Sequence, residues 1–179
     1  MKGIVFNLLE EVVTSDHGAD TWIALIEATE VSGIYTSVGS YPDEELFTLV
    51  MAAANGLNIS VDETLRLFGR KAMPLLAERY PVFFQDHTSA RSLILSVNDI
   101  IHPEVRKLYS GAGCPHFHFQ HGADGRLMVG YQSPRKLCQL AHGFVHGTAD
   151  HFGEAVRIEH EMCMNQGDPV CRMGIEWMS

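Results

Sequence analysis

The 179-residue chain contains no apolar run approaching the length of a membrane span, no Cys-x-x-Cys pair, and only thirteen lysines and arginines against twenty-two acids. The first absence excludes a spanning helix. The amino terminus, Met1 to Glu11, has only seven residues between Lys2 and the first acid, Glu10, too few for the core of a secretory signal, so the chain is expected to be cytoplasmic. A net charge of −9 with scattered basic residues excludes a nucleic-acid partner, which needs a basic stripe to meet phosphates. Cysteine is scarce, with three of the four residues falling after position 137. In a reducing compartment such thiols serve as metal ligands or stay free rather than forming disulfides. Internal repeats, low-complexity segments and a linker are also missing. What is present is 46% apolar and 20% charged, the composition of one compact domain spanning 1–179.

Hydrophobic periodicity divides that domain in two. Residues 2–15 carry Ile4, Val5, Leu8, Leu9, Val12 and Val13 at helical spacing, and Asp20 is placed to cap a second helix through Trp22 and Ile26. Asp43-Glu44-Glu45 opens a third helix ending at Asn55-Gly56. The capping box Ser60-Val61-Asp62-Glu63 starts a fourth, which runs to about Arg79 and which Pro74 should bend or interrupt in its hydrogen bonding. From residue 117 the period becomes two. Phe117–Gln120 and Arg126–Tyr131 predict a hairpin around Gly122-Ala123-Asp124-Gly125. A helix from Pro134 to about Phe152 follows, then strands over Glu154–His160 and Pro169–Trp177. The expected class is α+β: an all-helical lobe over about 1–80, then a lobe of four-stranded antiparallel sheet with helices over about 81–179.

Two groups of residues could carry chemistry. His102 lies beside Ile101 and Val105 near the expected start of a helix capped by Asn98 or Asp99, with Pro103 tolerated in the first turn. A lone histidine on an apolar face is most simply a core residue. Tyr131, Ser133 and Arg135 alternate along an extended segment and can offer a phenol, a hydroxyl and a guanidinium to one acceptor. Ser133 before Pro134 also reads as a helix cap, which adds a helix N-terminus to the same spot. The set is either a carboxylate or phosphate clamp or a capped helix with a surface arginine. An axial histidine in an apolar setting together with a dicarboxylate clamp is what haem requires.

At these residues the sequence resembles the haem nitric oxide/oxygen binding (H-NOX) family, which includes the sensor domain of soluble guanylate cyclase. The resemblance covers the whole chain. It rests on Met1-Lys2-Gly3, His102-Pro103-Glu104-Val105-Arg106-Lys107-Leu108-Tyr109, Gly111-Ala112, Pro115 and the Tyr-x-Ser-x-Arg motif at 131–135. It implies haem b between the two lobes, His102 as proximal iron ligand, Tyr131, Ser133 and Arg135 on the propionates, and Pro115 pressing on the porphyrin. Oxygen-binding members have a tyrosine five residues after the motif arginine, where this chain has Leu140. The other expected wall residues, Val5, Leu9, Pro74 and Phe144, are apolar too. Bound oxygen gains from a hydrogen-bond donor and nitric oxide does not need one. The expectation is therefore a non-enzymatic nitric oxide sensor, with carbon monoxide a further ligand, signalling to a histidine kinase or a cyclic-di-GMP enzyme. Alternatives are a haem enzyme of peroxidase or nitric oxide dioxygenase type, for which this wall supplies no acid–base group, and a zinc-stabilised adaptor without haem.

Cys138, His160, Cys163 and Cys171 form a second constellation. Three thiolates and an imidazole suit tetrahedral zinc. From spacing alone, buried free cysteines or a redox switch serve equally well. The resemblance adds weight to zinc, since some bacterial members carry such a site. His142 and His146 sit four apart but have no adjoining glutamate or third ligand, His116, His118 and His121 alternate along a strand, and Cys114 is isolated.

Overall fold

The computed structural model describes residues 1–178. Four helices come first: α1 (Gly3–His17), α2 (Ala19–Thr29), α3 (Asp43–Leu57) and α4 (Val61–Arg79). Asp20 lies in the first turn of α2 and Gly18, at φ +88°, occupies the cap position in its place. The chain there reverses directly out of α1, and only glycine takes that conformation at low cost. The capping box of α4 forms as expected, Ser60 accepting from the Glu63 amide while Glu63 accepts from the Ser60 amide.

α4 runs unbroken through Pro74. Proline there leaves the Arg70 carbonyl without its N–H partner one turn later. That carbonyl faces α7 (Cys138–His151), where a Cβ at Gly147 would lie 2.5 Å from it. The same seam continues at Gly69, whose Cβ would lie 2.5 Å from the Leu140 carbonyl, and at Gly143, whose Cβ would overlap the Arg66 carbonyl. Glycine on both helices thus brings α4 and α7 to backbone contact. They join the front of the chain to its back in one core that includes Phe6, Leu46, Leu65, Phe68, Val145 and Ala149.

Between them lie α5 (Ala90–Ser96), a π turn (Val97–Ile101) and α6 (His102–Leu108). The strands are β1 (His116–His121), β2 (Leu127–Gln132), β3 (Ala155–Met162) and β4 (Cys171–Met178). They form an antiparallel sheet in the order β1-β2-β4-β3. Leu127, Val129, Tyr131, Met173 and Ile175 turn into the core, as the period of two requires. The α+β class and four-stranded sheet expected from the sequence are both present.

The glycine seam generates a sign test. Alanine normally stabilises a helix over glycine by about 1 kcal/mol, and at Gly56, whose Cβ would meet open space, Gly56→Ala should raise the thermal midpoint. Gly143→Ala must push apart two backbones and should instead cost about 1–3 kcal/mol. Thermal denaturation of the two variants followed by circular dichroism checks this, and equal midpoints would mean that the seam is not close-packed.

Candidate haem and thiol sites

His102 is the first residue of α6, though that helix is not a separate one. It lies inside one helical run from Ala90 to Leu108, capped at its start by Ser89, whose hydroxyl accepts from the Ser92 amide at 3.2 Å. The run widens into the π turn just before His102, whose N–H reaches back to the Val97 carbonyl. Pro103 supplies the reason: it has no N–H, and its ring would clash with the carbonyl four residues back in a regular helix. Neither Asn98 nor Asp99 caps anything here. Asp99 is exposed, and the Asn98 side chain is hydrogen-bonded to the backbone of Phe117.

The His102 imidazole is half-buried, and its Nδ1 is buried without a hydrogen-bond partner. Burial lowers its pKa to about 4, with Arg106 and His116 adding in the same sense while the Pro115 carbonyl opposes them. The ring is therefore neutral at physiological pH, the form that can bind a metal. The Phe117 ring stacks against it, with centroids 5.9 Å apart. Ile101 packs with Phe144 against a small apolar cluster of Met73, Phe84 and Leu93.

Tyr131, Ser133 and Arg135 lie together at the end of β2, though not as a helix cap. Residues 133–136 form a turn, Ser133 Oγ accepting from the Arg135 amide at 3.3 Å and Lys136 taking φ +51°. α7 starts only at Cys138, and the Leu137 N–H at its threshold donates to the Tyr131 hydroxyl at 3.1 Å. The phenol thus takes the role assigned to Ser133, and Pro134 lies outside the helix. Arg135 Nε donates to Asp43 at 2.7 Å and Nη1 to the Gly113 carbonyl at 2.7 Å. Burial alone would raise the Asp43 pKa. The Met1 amino group, which also pairs with it, and the Arg135 guanidinium outweigh that and hold the carboxyl ionised. Arg135 is thus oriented from the front of the chain, a contact that acidic residues at a helix start did not reveal.

Of the expected wall residues, Leu9 on α1 and Leu140 on α7 are buried, Val5 and Phe144 are partly buried, and Pro74 is exposed on α4. All five are apolar, so this set offers no donor to a bound gas.

The three thiols Cys138, Cys163 and Cys171 converge from the start of α7, the end of β3 and the start of β4, all within 4.8 Å of one another. The Met164 amide donates to Cys171 Sγ, and burial raises the Cys138 and Cys171 thiols above their ordinary range. His160 is not part of that cluster. Its strand shifts register between His160 and Met162, and its Nε2 lies 3.0 Å from His142 Nδ1 with the ring planes nearly parallel. His160 Nδ1 is left buried without a partner. Beside the two histidines, Asp62, Arg66 and Gln139 line a polar cleft of about 570 Å³.

Comparison with known proteins bears on the fold and the family. A family model described as haem-NO-binding matches residues 2–160. The fold superimposes on an H-NOX protein from S. oneidensis in the Fe(II)NO ligation state with a TM-score of 0.93, at 34% identity over 100% of both chains. An H-NOX from Shewanella woodyi in the Fe(II)CO state gives 0.81 at 33% identity, over 98% of this chain and 93% of that one. An unliganded Fe(II) H-NOX from K. algicida gives 0.87 at 25%, over 100% and 97%. With the family model spanning most of the sequence and these matches end to end, the chain belongs to the haem-NO-binding, or H-NOX, family of haem-based gas sensors.

Proposed function

We propose that this chain binds haem b and senses nitric oxide at its ferrous iron, with His102 as the protein's axial ligand. The observation that carries the reading is the neutral, half-buried imidazole of His102 with its unpartnered buried nitrogen. Bound haem would supply a ferrous centre that takes up a diatomic gas reversibly. The chain supplies the rest. Tyr131, Ser133 and Arg135 hold the propionates, with Arg135 steadied by Asp43. Pro115, whose carbonyl influences the His102 ring, presses on the macrocycle. Val5, Leu9, Pro74, Leu140 and Phe144 form an apolar distal wall that favours nitric oxide over oxygen, with carbon monoxide also accepted. Relatives described with Fe(II)NO and Fe(II)CO support this choice of ligands.

The domain comprises residues 1–179, with its lobes dividing near residue 80. The output is passed to a separate signalling protein, a histidine kinase or a cyclic-di-GMP enzyme, in the cytoplasm. Among the described residues no helix is long and apolar enough to cross a membrane.

A structural zinc held by Cys138, Cys163, Cys171 and His160 belongs to the same proposal. The three buried thiols fit the donor set, and His160, which stands outside that group here, would supply the fourth position by turning its unpartnered Nδ1 toward them. His142 would then receive the His160 Nε2–H, the outer-shell bond that fixes the tautomer of a metal-bound histidine.

Two measurements test these assignments. The reduced protein should show a Soret band that moves with nitric oxide but not with air. His102→Gly should lose the axial bond until free imidazole is added, and Arg135→Ala should weaken haem retention about tenfold with the ligand unchanged. An unchanged ferrous spectrum in His102→Gly sinks the axial assignment. Elemental analysis should find one zinc per chain, and its removal by a chelator should lower the thermal midpoint. Freely titratable thiols in metal-free protein of undiminished stability would remove zinc from the account.

A further inference from the structure

Asn98 sits in the π turn, just ahead of His102, and both ends of its side-chain amide bind a single residue nineteen positions away. Its Nδ2 donates to the Phe117 carbonyl at 2.6 Å, and its Oδ1 accepts from the Phe117 amide at 3.1 Å. β1 is an edge strand, so backbone groups on its outer side would otherwise meet only water. Asn98 stands in for the missing neighbour strand at one position. Phe117 is not an arbitrary choice of partner. Its ring stacks on His102 and also meets Tyr131 edge-on, with centroids 5.7 Å apart and planes at 62°. Tyr131 is directly opposite Phe117 in the β1–β2 register. One residue therefore touches both the candidate iron ligand and the first residue of the propionate clamp, and its backbone is pinned by a side chain from the helix that carries His102.

We propose that Asn98 is a positioning residue for His102, acting through Phe117, so that the helix bearing the iron ligand and the strand bearing Tyr131 move as one unit. The inference rests on His102 being the iron ligand. The double hydrogen bond fixes Phe117 along the strand edge, and the Phe117 ring then limits how far the imidazole can tilt or withdraw. A shift of the His102 helix that kept Asn98 bound would draw β1 with it and reach β2 through the Phe117–Tyr131 pair. A shift that broke the bond would leave the sheet behind.

Resonance Raman spectroscopy of the ferrous haem protein and hydrogen exchange of the same protein provide the test. Asn98→Ala should shift the iron–histidine stretching band and speed exchange at the Phe117 amide about tenfold, the effect of losing its acceptor. Asp99→Ala, exposed on the same turn, should alter neither. Asn98→Asp keeps an acceptor for the Phe117 amide but sets a carboxylate against its carbonyl. It should move the stretching band as well, and it carries the test if the alanine variant does not fold. Faster exchange with an unmoved band reduces Asn98 to a cap on the sheet edge and overturns the proposal, as does no change in either readout. Failure of the underlying iron assignment would register separately, as an iron–histidine band that persists in His102→Gly without imidazole.

Discussion

Helices α4 and α7 meet through glycine, and the backbone contact this permits holds both ends of the chain in one core. Gly69, Gly143 and Gly147 give up side-chain packing and helix propensity at three places. In exchange two helices far apart in sequence lie close enough for carbonyls to approach Cα atoms. α7 carries Leu140 and Phe144 along its length and begins at Cys138, so its position also determines where the apolar wall stands and where the thiols gather. The front of the chain returns the constraint through Asp43, which reaches across to orient Arg135. Both candidate sites thus depend on contacts between residues from opposite ends of the sequence.

Most of the architecture was legible because it is periodic. Four amphipathic helices, a capping box and alternating strands around glycine turns announce themselves locally, and the sheet follows from strands joined by short connections. The failures share one cause, which is competition for a polar group by a distant partner. Asn98 has the chemistry of a cap, but its amide is captured by Phe117. Ser133-Pro134 has the signature of a helix start, but the Tyr131 hydroxyl takes the first free N–H further along, at Leu137. His160 has ligand spacing relative to Cys163, yet a strand irregularity and the His142 ring set it apart from the thiols. The roles of Asp43 and His142 gave no signal at all, since each is defined by a residue far away along the chain or on another element.

The Tyr-x-Ser-x-Arg motif does more within the fold than the ligand contacts expected of it. Tyr-x-Ser-x-Arg does bring its three side chains to one turn. The phenol, however, is buried to 4% exposure and is already engaged by a backbone amide, while the guanidinium is shared between a carboxylate and a carbonyl. The motif therefore describes a turn held from within as much as a surface that faces a ligand. That double use accounts for the mixture of residue types better than ligand binding alone.

The π turn before His102 has a consequence in helical phase. Successive residues of an α-helix are separated by about 100° of rotation, and a π turn accommodates one residue more than the helix around it. The segment Val97–Ile101 therefore stores a single residue of slack immediately ahead of the imidazole. Deleting one residue there would restore regular winding with the phase beyond it unchanged, whereas winding the same residues as regular α-helix would swing everything beyond by roughly a quarter of a revolution. That rewinding would carry Val105 and Arg106 round together with the histidine. The direction in which His102 points is thus written in the winding of the helix before it as firmly as in the identity of the residue.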